Sequence, residues 1–324
     1  MLPLEAYICD RMGKSICKRL AFSQASLKLP ACLGNLVRKK LWSWPYRHMS
    51  GFPHSVIFEP TSDGTWRLAN AGLHLTETVP LKDWIGPIDR PVTIVAGGPS
   101  AREYPMQELA SGKRLLIAVN GVPTILAEHG IRPDAWVVSD ARLAPQIQAN
   151  AVHANGVPLA ITPKLAAFLA VSSPALLSHH RICLVERVNQ WHGVSSLIST
   201  QLEDMNKESG SPFLFPTTGQ GKSVIGWSKR PELGFFSGAT VTFTALQLMV
   251  GLGARDIEII GMDLSGKGHS YVDLPDAIPS SLMDDFEVKI LPAFEQMHQG
   301  LLGTGVVIKN LSPVCPLPQR LFAS

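Results

Sequence analysis

A chain of 324 residues that is 45% hydrophobic and 17% charged, with a net charge of +3, can bury one large core or one core plus a small appendage, so a globular protein is the default. Its five cysteines (Cys9, Cys17, Cys32, Cys183, Cys315) are widely spaced and never form a C-x-x-C pair, which excludes the usual signs of a disulfide framework or a zinc site. No run approaches the roughly 18 uninterrupted apolar residues that span a bilayer, and Met1 to Leu20 mixes acids and bases where a signal peptide needs an apolar core, so a cytoplasmic protein with reduced thiols is expected.

Residues 1–50 read as a basic extension. Met1 to Arg47 carries nine Lys/Arg against Glu5 and Asp10, a net +7 that leaves −4 for the remainder. Leu20, Phe22, Leu27, Leu29, Leu33, Leu36, Val37, Leu41, Trp42, Trp44 and Tyr46 lie among those charges. The pattern suits an anionic membrane surface, where each basic residue is worth about 1 kcal/mol, and equally a solvated extension. No nucleic-acid motif accompanies the charge, so nucleic acid is not an expected partner. Residues 51–90 read as a small strand and connector region, with alternation from Ser55 to Leu75 predicting a hairpin or strand pair and Pro80 to Pro91 a connector.

The main domain, residues 91–324, opens on Val92-Thr-Ile-Val-Ala-Gly-Gly-Pro-Ser100, a β-branched run emptying into a glycine turn. Arg102 to Ala110 follows as a short helix, Arg114 to Gly121 as a second buried strand, Pro123 to His129 as a helix and Ala135 to Asp140 as a third strand. Pro158 to Ile161 and Arg181 to Glu186 are two more strands, with Lys164 to Leu177 helical between them. This rhythm predicts an α/β, Rossmann-like, mostly parallel sheet with helices on both faces. About residues 187–233 the pattern gives way to Ser, Gly, Pro and Lys, which reads as an irregular insertion. Order returns with a helix over Val241 to Gly251, a strand over Asp256 to Asp263 and a final strand over Val306 to Leu311.

Ligands of such sheets bind outside the carboxyl ends of the strands, where the polar turns fall. Gly97 and Gly98 let backbone N–H groups approach an anion, with Pro99 and Ser100 opening a helix N-terminus; a Gly-Pro turn is also an ordinary structural device. Asn120-Gly121 and Asp140, with Arg142 after it, could bond a ribose, base or sugar, or simply form Asx turns. Ser237-Gly238-Ala239-Thr240 could cap the following helix or hold a phosphate. Gly261 to Tyr271 is the densest reactive cluster, with Asp263, Ser265, Gly266, His269 as a base near neutral pH and Tyr271 as a donor to a leaving phosphate; an idle loop histidine is the alternative. Asp284, Asp285 and Glu287 offer further carboxylates or a solvated helix face. Gly219-Gln-Gly-Lys-Ser223 is not a P-loop, because Pro216 stands where its first glycine belongs and no apolar strand precedes it. His179, His180 and His192 lack partners at metal-ligand spacing and read as surface or strand-edge residues.

Ile117-Ala-Val-Asn-Gly121, Ser139-Asp-Ala-Arg142, Gly261-Met-Asp-Leu-Ser-Gly266 and Lys289-Ile-Leu-Pro-Ala-Phe294 resemble, in order and spacing, the landmarks of lipopolysaccharide-core Kdo transferases of the WaaZ (RfaZ) type. The resemblance runs from about Pro91 to Leu311. More distantly, Gly97 to Ser100, Asn120, Asp140, the Ser-Gly-Ala-Thr segment and Gly261 to Asp263 are similar to the nucleotide site of bacterial sialyltransferases of glycosyltransferase family 42.

The resemblance implies a GT-A-like variant of the sheet and transfer of Kdo from CMP-Kdo to an inner-core acceptor, without a cofactor or a metal. CMP would lie over the carboxyl edge, with Gly97, Gly98 and Ser100 near its phosphate or ribose and Asn120 and Asp140 along the nucleotide and sugar. Tyr271 matches the second tyrosine that assists the departing phosphate in the sialyltransferases. The chain departs from them at Ser265, which stands in place of the first tyrosine, and near Asp285, where their basic histidine would fall. His269 or an Asp284/Asp285 carboxylate is then the candidate base. The expected partners are the CMP-sugar donor, a lipid A-core acceptor, the inner face of the cytoplasmic membrane through peripheral contact, and a second copy in a homo-oligomer. Transfer of another CMP-activated nonulosonic acid, and an inactive nucleotide-binding envelope-assembly protein, are the alternatives.

Overall fold

The computed structural model describes residues 48–49, 51–63, 65–192, 196–197, 202–203, 211–214, 224–264 and 282–322. Residues 1–47 of the basic extension, and the reactive cluster from residue 265 on, lie outside the described residues. Strands β1 (Val56–Pro60), β2 (Trp66–Asn70) and β3 (Leu73–Glu77) form a small antiparallel sheet. Then come β4 (Val92–Val95), β5 (Leu115–Val119), β6 (Ala135–Val138), β7 (Leu159–Ile161) and β8 (Ile182–Leu184), a two-residue pair β9 (Phe213–Leu214) and β10 (Trp227–Ser228), and finally β11 (Asp256–Ile260) and β12 (Val307–Asn310).

Seven of these make one parallel sheet in the order β12-β11-β4-β5-β6-β7-β8. The apolar runs dictate this: β4, β6 and β7 are buried at every position, which only strands covered on both faces can be. The main helices are α1 (Val122–Glu128), α2 (Ala144–Asn150), α3 (Pro163–Ser172), α4 (Pro174–His179), α5 (Val241–Gly251) and α6 (Leu291–Leu301). Among the described residues no helix is long and apolar enough to cross a membrane.

Two expected helices are interrupted by proline. The residue before a proline is pushed out of the helical region, so Tyr104 is extended (ψ 140°) before Pro105 and separates a 3-10 turn, Pro99–Glu103, from a helix over Met106–Leu109. Ser173 (φ −154°, ψ 64°) before Pro174 likewise divides α3 from α4. The hairpin has a third strand and joins the main core through buried Phe58, Trp66 and Leu68, and Asn70 donates to the Ala170 carbonyl of α3 at 2.9 Å. The insertion is anchored more firmly than its composition indicates, with Leu197, Leu202, Phe213 and Trp227 all buried.

His180 is a core residue, not a surface one. Its Nδ1 lies 2.7 Å from the Val157 carbonyl and its ring packs against Trp136. Burial holds its pKa below the ordinary 6.5, against the opposing pull of that carbonyl. As pH falls through about 6.5 the unfolded chain takes up a proton at this position before the folded one does, so the stability His180 contributes above that pH is lost below it. Urea unfolding of wild type and His180→Gln at about pH 7.5 and pH 5.5 will show the wild type losing more stability on acidification than the variant. An equal loss in both would contradict this account.

Candidate functional site

The sheet reverses direction of winding between β4 and β11, the first and sixth strands of the seven, and the crevice beyond their carboxyl ends is where such folds ordinarily bind ligands. Here that crevice is closed by the protein itself. The Ser100 N–H donates to Asp263 Oδ2 at 2.8 Å, the Ser100 hydroxyl donates to Asp263 Oδ1, and the Gly98 N–H donates to the Gly261 carbonyl at 2.8 Å. Both glycines are required by the closeness of the two turns. A Cβ on Gly98 would meet the Gly261 oxygen at 2.5 Å, and one on Gly261, which sits at φ +71°, would meet the Ala96 oxygen at 2.4 Å. Asp263 is 2% exposed, so the donors of this turn already hold an internal carboxylate.

Asn120 ends β5 in the left-handed region (φ 50°), its carbonyl fixed by the Trp136 indole N–H at 2.6 Å and its own N–H by the Val137 carbonyl at 3.1 Å. Among the described residues its buried Oδ1 has no hydrogen-bond partner. Because α5 leads down into the start of β11, its N-terminus and the Ser237-Gly238-Ala239-Thr240 turn stand at the same carboxyl edge. Gln247, wholly buried, sets that turn: it accepts from the Ser228 and Phe236 N–H groups at 3.1 and 3.0 Å and donates to the Phe236 and Phe243 carbonyls at 2.8 and 3.1 Å. Thr240 precedes the helix without capping it by its side chain, and the Ser237 hydroxyl instead accepts from the Ala239 N–H at 3.4 Å.

Among the described residues a large cavity of this edge lies beyond β6, β7 and β8. Its volume is about 830 Å³, within the size of small-molecule sites. Asp140 and Arg142 line it at the end of β6, Thr162 and Lys164 at the start of α3, Glu186 and Arg187 after β8, with Gln148, Gln190 and His192. Met49, Phe52, Pro53, Phe168 and Val171 form an apolar wall. Asp140 and Arg142 are clasped: Nε and Nη2 of Arg142 donate to Asp140 Oδ2 at 2.9 and 2.6 Å, and the Arg142 N–H donates to Oδ1 at 2.9 Å. Burial alone would push the Asp140 carboxyl up, but these bonds and the charge of Arg187 outweigh it and hold it below the usual carboxylate range. Cys183, beneath the cavity in β8, is buried and pushed up to about 12, so it is an inert core thiol.

Gly97, Gly98, Pro99, Ser100, Asn120, Gly121, Ser237 to Thr240 and Asp263 thus share the carboxyl edge with Asp140 and Arg142, yet only the last two line the cavity. Ser265, Gly266, His269 and Tyr271 lie outside the described residues. Asp284 and Asp285 end the short helix Leu282–Asp285 away from the cavity lining, and Lys289 donates to the Asp285 carboxylate. Sequence reasoning missed Thr162, Lys164, Glu186 and Arg187. The signal was available, since Glu186-Arg187 is a polar strand end of the kind that marks Asp140. His192, read as a surface residue, lines the cavity with its ring among Phe52, Phe58 and Trp66.

Removing the internal carboxylate strands the Ser100 N–H in a buried site. Asp263→Ala will therefore lower stability by about 2–3 kcal/mol, and Ser100→Ala by about 1 kcal/mol, in urea or thermal unfolding. Wild-type stability of Asp263→Ala would show that the clasp does not hold the edge.

The chain is 26% identical over 224 residues, 68% of its length and 77% of the relative's, to an Escherichia coli (strain K12) protein named "Probable 3-deoxy-manno-octulosonic acid transferase". Among solved structures it matches the MAf glycosyltransferase of Magnetospirillum magneticum AMB-1 at 16% identity and a TM-score of 0.41, over 71% of this chain and 33% of that one, so it spans a third of that protein. A family model described as 6-hydroxymethylpterin diphosphokinase MptE-like matches residues 69–268, more than half of the chain, a range that holds the clasp and the cavity lining except His48, Met49, Phe52 and Pro53. The chain belongs to this MptE-like family.

Proposed function

We propose that the protein is a glycosyltransferase that moves Kdo, a 2-keto sugar acid, from CMP-Kdo to an inner-core lipopolysaccharide acceptor, with the donor in the cavity over β6 to β8. The observation that carries this reading is the cavity itself: a small-molecule volume at the ligand-binding edge, with a polar and cationic floor and an apolar wall. The name of the Escherichia coli relative supports Kdo as the transferred group. A donor of this kind suits such walls, because it joins an anionic phosphodiester and carboxylate to a flat base.

In this reaction the bond between the sugar's anomeric carbon and the phosphate oxygen breaks, the electron pair leaves with CMP, and the acceptor oxygen bonds to the same carbon. Cationic donors fixed around the phosphate favour the step by stabilising the charge that develops on it. Arg142, held by Asp140, is placed for that task. Because Asp140 is held ionised and engaged by Arg142, it serves as an orienting group and not as the base. The acceptor's proton goes to His269, with Tyr271 assisting the leaving phosphate. The basic stretch Met1 to Arg47 brings the protein to an anionic membrane surface where a lipid-linked acceptor lies.

The test is an assay of the purified full chain with CMP-Kdo and truncated core acceptors, read by mass spectrometry. The acceptor should gain one Kdo while CMP is released, and His269→Ala should lower kcat by about 100-fold or more. A folded protein that neither transfers nor hydrolyses CMP-Kdo overturns the proposal. Diphosphoryl transfer to 6-hydroxymethylpterin, the activity in the family's description, would replace it if a nucleoside triphosphate and that pterin were consumed instead.

A further inference from the structure

Arg187 is a cavity residue to which the transferase reading gives no task. Its backbone is held on both sides: the Gln190 N–H donates to its carbonyl at 2.9 Å, while the Phe235 N–H donates to the Glu186 carbonyl at 2.9 Å and the Val188 N–H to the Phe235 carbonyl at 3.0 Å. The root of the side chain is therefore fixed, and Arg187, an exposed residue, lines the cavity. Among the described residues its side chain makes no hydrogen bond. The carboxylate whose charge favours it is that of Asp140, but the Asp140 oxygens are already engaged by Arg142.

Among the described residues Arg142, Lys164 and Arg187 line the cavity against Asp140 and Glu186, leaving one net positive charge. The protein around Arg187 lowers its pKa from the ordinary 12.5, against the pull of Asp140, while the residue itself stays exposed. An accessible guanidinium with no hydrogen bond of its own is open to an arriving anion. The planar fork of a guanidinium matches the two oxygens of a carboxylate or a phosphate, a fit that the single point charge of lysine does not reproduce.

We propose that Arg187 is the anion seat of the cavity, pairing bidentately with a singly charged oxyanion of the bound ligand, while the Asp140–Arg142 clasp keeps Arg187 from being neutralised internally. This deepens the transferase reading and rests on it only for the carrier of the oxyanion, which is either the carboxylate of a sugar acid or the phosphodiester of an activated one.

Calorimetric titration of the full chain with inorganic phosphate, CMP and free Kdo tests the seat. At least one of these should bind wild type and bind Arg187→Gln about 30-fold more weakly, with Arg187→Lys between the two and the thermal transition retained. Weakening for phosphate and CMP places the nucleotide's phosphate at Arg187; weakening for Kdo alone places the sugar carboxylate there. If Arg187→Gln does not fold, Arg187→Lys decides, since it keeps the charge and loses the fork. Wild-type affinity in the folded variant, or no binding of any of the three by wild type, overturns the proposal. Anion binding lost in Arg187→Gln in a protein that transfers nothing from CMP-Kdo removes the transferase reading alone and leaves the seat standing.

Discussion

The Ser100–Asp263 pair is the constraint around which the carboxyl edge is built. A carboxylate that is 2% exposed is tolerated only where donors are fixed to receive it, and Ser100 supplies both a backbone and a side-chain donor. To bring those donors to Asp263, the turns after β4 and β11 must approach within the reach of a missing Cβ at Gly98 and Gly261. At the opposite edge Arg114 joins the same strands, donating to Thr93 Oγ1 of β4 at 2.9 Å and pairing with Asp256 and Glu258 of β11 at 3.2 Å. The first and sixth strands of the sheet are thus pinned at both ends by polar groups, with fully buried apolar residues between them.

Once the crevice between β4 and β11 holds an internal anion, the open volume of the edge lies further along, beyond β6 to β8. The floor there comes from strand ends and the start of α3, and one wall comes from residues 48–53. Backbone pairing between Phe235 and the segment after β8 ties this floor to the turn before α5, whose own geometry depends on the four hydrogen bonds of Gln247. Asn120, Ala239 and Leu264 all sit in the left-handed region along this edge. Such backbone strain persists only where the surroundings impose it, and it marks the edge as shaped for more than packing.

The sheet was legible because buried parallel strands leave short, largely apolar runs, and all seven appear where those runs fall. The ends of the strands were legible too, since Asn120, Asp140 and Asp263 are polar residues that a buried run does not otherwise tolerate. What those residues face was not legible. A carboxylate such as Asp263 and a glycine turn such as Gly97 to Ser100 look alike in sequence whether they meet a ligand or each other, and only the winding of the sheet brings them within 2.8 Å. Arg187 was legible only as half of a polar strand end with Glu186: it begins a stretch poor in apolar residues, whose buried anchors Phe213 and Trp227 are too sparse to show a period. The resemblance to Kdo transferases agrees with the name of one relative, whereas the MptE-like family was not visible in the motifs that carried it.

The central claim is that ligand occupies the cavity over β6 to β8 while the Ser100–Asp263 pair stays closed. A crystal structure of the full chain soaked with CMP tests it most directly. The account predicts density for the nucleotide among Arg142, Lys164 and Arg187, with Asp263 still bonded to Ser100. Nucleotide phosphate seated on the Gly98 and Ser100 N–H groups, with Asp263 displaced, would contradict it.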